Sequence, residues 1–134
     1  MIKKITLGIT LFFSTLMFAS PAYADWVKLG EGASGNTYYV DFDRMRTNGG
    51  YVYYWQLTDF VKPKKNGTLS IKQYEQGDCE VFGIKGLSGM YYKQPMGEGS
   101  GELYSPSNPE WIYPSPNSAA ETILKLVCEL AENL

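Results

Sequence analysis

The sequence predicts an α+β domain: an antiparallel β-sheet of about five to six strands, one C-terminal α-helix packed on it, and one disulfide. Three observations carry this expectation. Apolar and aromatic residues alternate with a period of two through several segments after residue 26. The connections between those segments are far too short for parallel crossovers. The last segment, from Ser118, changes to steps of three and four residues.

Ahead of the domain, Met1-Ile2-Lys3-Lys4 is basic, Ile5 to Phe18 is an almost unbroken apolar run, and Ala22-Tyr23-Ala24 ends in a small-x-small pattern. That is the layout of a secretory signal peptide, residues 1–24, cleaved between Ala24 and Asp25. The 14 residues of this run would span about 21 Å as a helix, short of the roughly 30 Å of a bilayer core, so a retained membrane helix is not expected. A lipoprotein would carry a cysteine directly after the cleavage bond, and that position is Asp25. The expected product is a periplasmic or secreted domain, residues 25–134, with no membrane anchor after signal removal.

Within the domain, Trp26 to Leu29 reads as a first strand and Glu31 to Asn36 as a loop. Thr37 to Phe42 alternates Tyr38, Val40 and Phe42 with Thr37, Tyr39 and Asp41. Asn48-Gly49-Gly50 is a turn. Tyr51 to Phe60 then reads as a long central strand, Tyr51, Tyr53, Trp55 and Leu57 on one face and Val52, Tyr54, Gln56 and Thr58 on the other. Lys65 to Thr68 turns into a strand over Leu69 to Tyr74, Gly77-Asp78 turns into another over Cys79 to Leu87, and Met90 to Lys93 is a candidate further strand. The Gly- and Pro-rich stretch 97–109 is read as mostly irregular, anchored by Trp111.

Ser118 followed by Glu121 is a capping box, and Pro116 just before it suits the start of a helix. Ala120, Ile123, Leu124, Val127, Ala131 and Leu134 form one apolar stripe, bordered by Cys128. Cys79 and Cys128 are the two cysteines of the chain, and in an exported domain of this size such a pair is expected to be a disulfide. Closing a loop of about 50 residues stabilises a fold by roughly 4 kcal/mol in the chain-entropy picture.

Most catalytic chemistry finds no residues here. Histidine is absent, which removes the usual general base and the commonest metal ligand. Two thiols 49 positions apart make a poor zinc site. Gly86-Leu87-Ser88-Gly89 lacks the last glycine of a nucleophile elbow, which would fall at Met90. Gly97-Glu98-Gly99-Ser100-Gly101 has neither the parallel strand nor the helix of a dinucleotide site. Asp41 and Asp43 alone fall short of the oxygen count calcium takes, and Asn66-Gly67-Thr68, a sequon by pattern, is explained by a hairpin turn. Without Lys3 and Lys4, 10 Lys and Arg stand against 14 Asp and Glu, a net charge near −4. Only Lys62-Pro63-Lys64-Lys65 is densely basic, so no nucleic acid partner is expected. No cofactor, metal or enzymatic activity is expected either.

The informative excess is aromatic, with ten tyrosines and three tryptophans after residue 24. Neighbours on a strand point to opposite faces, so each doublet, Tyr38-Tyr39, Tyr53-Tyr54 and Tyr91-Tyr92, places one ring on each side. Tyr39, Tyr54 and Tyr92 are the candidate binding aromatics if they gather on an uncovered face; ordinary cross-strand packing is the other reading. A small-ligand carrier would instead need a pocket among Tyr53, Trp55 and Trp111.

Taken in order, Trp26, Tyr39-Val40-Asp41, Asn48-Gly49-Gly50, Val52-Tyr53-Tyr54-Trp55-Gln56-Leu57, Cys79, Pro95-Met96-Gly97, Trp111, Pro114-x-Pro116-x-Ser118 and Cys128 resemble the surface-adhesin protein E family over nearly all of residues 26–130. The resemblance implies an antiparallel sheet with a C-terminal helix tied down by a disulfide. It also implies a non-enzymatic protein-binding module that adheres to host extracellular proteins. The family's adhesin is displayed through a lipid anchor, whereas Asp25 stands at the anchoring position here. The expected partner is a host extracellular protein or an envelope protein, met by the domain alone or as a homodimer; a periplasmic structural or accessory factor is the alternative.

Overall fold

The structure, a computed structural model, describes residues 25–134; the expected signal peptide, and Ala24 with it, lies outside the described residues. Seven strands follow one another as β1 (Trp26–Glu31), β2 (Thr37–Asn48), β3 (Tyr51–Asp59), β4 (Ser70–Asp78), β5 (Gly83–Tyr92), β6 (Gly101–Tyr104) and β7 (Trp111–Ile112), before helix α1 (Ala119–Ala131). All the strand pairs are antiparallel, and the spatial order follows the sequence from β1 to β6, with β7 paired to β5. Short turns dictate this meander, because a hairpin connection can only return a strand beside its predecessor.

The β2–β3 turn shows how local sequence enforces it. Gly49 and Gly50 adopt φ of 60° and 86°, the left-handed region that residues with a Cβ resist.

Several boundaries differ from the sequence reading: β2 runs on past Phe42 to Asn48, and β4 runs on past Tyr74 to take in Gly77 and Asp78, which were expected in a turn. The strand expected over Cys79 to Leu87 begins only at Gly83 and continues to Tyr92, absorbing the separate strand expected at Met90. The reason is local: Asp78 Oδ1 accepts from the Glu80 N–H at 2.9 Å, and Phe82 turns through a positive φ of 59°. The stretch read as irregular contributes the short strand β6. Leu134, expected on the helix stripe, lies past the helix end and is exposed.

Helix α1 starts where the capping signal placed it. Ser118 Oγ accepts from the Glu121 N–H at 3.2 Å, but the Glu121 carboxylate accepts from Asn117, one residue before the cap, at 3.1 Å. Ile123, Leu124 and Val127 are buried, with Ala120, Cys128 and Ala131 packed beside them. They meet Val40, Met45, Val52, Tyr54 and Ile84 from the sheet, and this cluster is the main core. Fully burying an aliphatic side chain of this kind contributes about 1.5–3 kcal/mol. Close approach requires Gly77, where a Cβ would lie 2.9 Å from Leu124 Cδ1 and 3.0 Å from Val52 Cγ1. The Cys79–Cys128 disulfide, with Cα atoms 5.8 Å apart, ties the end of β4 to the helix.

Candidate binding face

Register assigns each side chain to one of the two faces. Val40 pairs with Gln56 and Val52 with Gly77, placing Val40, Val52, Tyr54 and Gly77 on the helix side. Tyr39 pairs with Leu57, Asp41 with Trp55, and Trp55 with Tyr74, so these residues share the opposite face.

That opposite face carries a row of aromatic rings across the strands. Trp111 stacks on Tyr51 with centroids 5.6 Å apart, and Lys85 Nζ lies 4.6 Å from the Trp111 ring centre. Next to it, Tyr53 stacks on Tyr74 at 6.2 Å and Trp55 meets Tyr74 at 4.9 Å. The Arg46 guanidinium donates to the Tyr74 hydroxyl at 2.9 Å. These rings are all half-buried, held in orientation by their stacking and left with part of their area open to solvent. Offset aromatic pairs of this kind contribute about 0.5–1.5 kcal/mol beyond burial.

At one end the face is closed over. Met96 N–H donates to Asp59 Oδ1 at 2.9 Å and Gly97 N–H to Ser70 Oγ at 2.8 Å, while Ser70 Oγ donates to the Gln94 carbonyl at 2.6 Å. These bonds hold the 3-10 turn Pro95–Gly97 against β3 and β4, and Leu57 on that face is fully buried.

Between the ring row and this turn is a cavity of about 190 Å³, walled by Trp26, Trp55, Lys72, Met90 and Tyr92, with Asp41 and Arg44 on its β2 side. Asp41 is 1% exposed, and neither carboxylate oxygen accepts a hydrogen bond. Arg44 Nε approaches Oδ2 at 3.4 Å, an ion-pair distance without hydrogen-bonding geometry, and Arg44 itself is largely exposed. Arg44 reaches back to Asp41 because β2 bulges between Asp41 and Arg46. Lys72 Nζ stands 5.0 Å from the Tyr92 ring centre, and the Tyr92 hydroxyl donates to Met90 Sδ at 3.3 Å.

The three tyrosines expected at the binding face do not come together. Tyr39 is half-buried on the aromatic face. Tyr54 is fully buried beneath the helix and is corrected to a core residue. Tyr92, at 4% exposure, is corrected to a cavity wall. Each doublet does split between faces, but alternation alone leaves open which parity the helix covers, and the helix covers that of Val40 and Val52. The missed residues are Tyr51, Tyr53, Trp55 and Tyr74; their alternating aromatic signal is present in the sequence, but it reads equally well as core. Trp111 anchors its segment as expected. The cavity at Trp55 is walled by Trp26 and Tyr92 rather than by Tyr53 and Trp111, so the pocket expected among Tyr53, Trp55 and Trp111 is displaced.

On the helix side, burial pushes the Glu75 carboxyl up to about 7 and the Tyr54 phenol well above its usual range, with the Glu75 charge adding to the latter. Among the described residues no cluster of His, Cys, Asp and Glu could hold a metal ion. No described helix is long and apolar enough to cross a membrane.

These features define a small antiparallel-sheet domain, clamped by one disulfide, with a helix on one face and aromatic rings on the other. The chain belongs to the surface-adhesin protein E family, whose family profile matches residues 26–129, in agreement with the resemblance of Trp26, Asn48-Gly49-Gly50 and Cys128 to that family. Crystal form II of Haemophilus influenzae protein E aligns with a TM-score of 0.59 at 13% identity, covering 84% of this chain and 94% of that one. A second protein E structure from Haemophilus influenzae gives 0.59 at 13%, covering 86% and 92%. Protein E from non-typeable Haemophilus influenzae gives 0.56 at 14%, covering 85% and 82%. At such identities the likeness is one of fold. No curated protein matches the chain.

Proposed function

We propose that this protein is an exported, non-enzymatic protein-binding module whose contact surface is the aromatic sheet face opposite the helix. The observation that carries the reading is the row Trp111–Tyr51 and Tyr53–Tyr74–Trp55, flanked by Arg46 and Lys85. Aromatic residues and Arg are the types enriched at interface centres, and rings already fixed by stacking lose little entropy on binding. Family membership supports an adhesin-like role at the cell surface, with a host extracellular protein as partner. Signal removal between Ala24 and Asp25 would release the domain without a lipid tether, which favours an envelope protein as the alternative partner and a periplasmic accessory role.

Two measurements test this together. Protease treatment of intact and outer-membrane-permeabilised cells locates the protein: digestion in intact cells supports the adhesin, digestion only after permeabilisation the periplasmic factor. Binding to immobilised extracellular-matrix proteins, or recovery of an envelope partner from periplasmic extract, should fall at least tenfold in a Tyr53→Ser, Trp111→Ser double variant that keeps its disulfide and melting transition. Unchanged binding by that variant would remove the aromatic face from the interface. Self-association lost in the same variant would identify the face as a homodimer contact.

A further inference from the structure

The cavity at Asp41 holds a buried carboxylate that accepts no hydrogen bond from the described chain, although Arg44 and Lys72 also line it. A carboxylate taken out of water costs several kcal/mol unless it is paired and hydrogen-bonded. Asp41 is 1% exposed, both its oxygens lack donors, and its one ionic neighbour, Arg44, touches it at 3.4 Å from a largely exposed position. Around it stand Trp26, Trp55, Tyr92, Met90 and Lys72. Aromatic faces attract cations, and a desolvated carboxylate supplies the countercharge. The same surface already holds one ammonium against a ring, Lys72 Nζ over Tyr92. The volume, about 190 Å³, suits a short alkyl chain and its head group rather than a drug-sized ligand.

We propose that this cavity binds a primary ammonium group carried on a short apolar stem, the ammonium donating to Asp41 and the stem lying among Trp26, Trp55, Met90 and Tyr92. A free alkylamine and a protein's lysine side chain present the same chemistry. In either case the exposed Arg44 guanidinium is the resident competitor that the ligand displaces from Asp41.

Trp26 and Trp55 make tryptophan emission the natural readout. n-Pentylamine titrated into the exported, disulfide-bonded protein at neutral pH and low salt should shift the emission saturably, and 1-pentanol, of the same shape without the charge, at least tenfold more weakly. Nα-acetyl-lysine methylamide separates the sources: binding comparable to pentylamine means a lysine side chain is accepted, and binding of pentylamine alone means a free amine. Asp41→Asn should weaken the amine at least tenfold. Arg44→Ala, at an exposed position that leaves the fold intact, should tighten it several-fold and keeps the proposal testable if the Asn variant does not fold. Equal binding of amine and alcohol, or an Asp41→Asn or Arg44→Ala variant that binds the amine as the parent does, would overturn the proposal. One further outcome would also overturn it. Cleavage before Asp25 would create an α-ammonium one residue from Trp26, the register partner of Asp41. If the amine binds only after that α-amino group is acetylated, the chain's own terminus is the occupant.

Discussion

Trp55 on β3 and Tyr74 on β4 stand directly opposite each other, ring centroids 4.9 Å apart, on the sheet face turned away from the helix. One residue earlier on the same strand, Tyr54 is fully buried beneath the helix. Two adjacent aromatic residues therefore have different energetic roles. Trp55→Ala should destabilise by about 2 kcal/mol, from lost stacking and partial burial. Tyr54→Ala should cost roughly 3–5 kcal/mol, as deletion of a core ring does. Urea unfolding of the two variants checks the order, and a larger loss at Trp55 would place the main core on the other face.

The Tyr54 hydroxyl is buried without a hydrogen-bond partner. Removing an unsatisfied buried polar group while keeping the ring relieves its desolvation cost. Tyr54→Phe should therefore raise stability by about 1 kcal/mol, read as a higher urea midpoint at unchanged slope. A decrease would mean that the hydroxyl is satisfied in solution, by an ordered water for instance.

Glu75 makes stability depend on pH in an unusual direction for a carboxylate. Its folded value is pushed up to about 7 by burial, against 4.5 when free. Between those values the folded state holds a proton that the unfolded state releases, so stability is fully present below about 4.5 and falls as pH rises towards 7. The loss attributable to this residue is on the order of 3 kcal/mol, at about 1.4 kcal/mol for each pH unit. Glu75→Gln should flatten this part of the profile in melting experiments from pH 4.5 to 8; an equal slope in parent and variant would assign the dependence elsewhere.

The Cys79–Cys128 bond closes a loop of 49 positions and holds the helix to the sheet. Cys128→Ser should cost roughly 4 kcal/mol, and reductant should lower the parent's melting temperature towards that of the variant. Identical melting of parent and variant under oxidising conditions would show that the bridge contributes no stability.

Ser118 caps the helix through its side chain. Ser118→Ala should cost about 1 kcal/mol, measured by chemical unfolding, whereas Ser118→Asp should retain most of the stability because a carboxylate both caps and favours the helix N-terminus.

Much of the architecture was legible because it is written in local patterns. Asn48-Gly49-Gly50 encodes a tight turn, Ser118 and Glu121 a helix start, and Ile123, Leu124 and Val127 a helix face, each through interactions within a few residues. The two cysteines were enough to anticipate the bridge. Less legible was the start of β5, where the Asp78 side chain draws Cys79 to Phe82 into a turn that their strand-like composition conceals.

The candidate site was only partly readable. Alternation told that Tyr53 and Tyr54 face opposite ways, and nothing local told which of them the helix covers. That choice is settled by helix packing over Gly77, where the missing side chain lets Leu124 approach Val52. The cavity at Asp41 needed more still, since Trp26, Asp41, Trp55, Lys72, Met90 and Tyr92 come from five different strands.

The sequence by itself therefore determined the α+β class, the succession of hairpins, the helix and the paired cysteines, because period, turn chemistry and capping act over short distances along the chain. Only the tertiary structure decided which aromatic rings are core and which are surface, and which side chains surround the buried carboxylate of Asp41. Those outcomes depend on cross-strand register and on which sheet face the helix covers, and both are set by packing between residues distant in sequence.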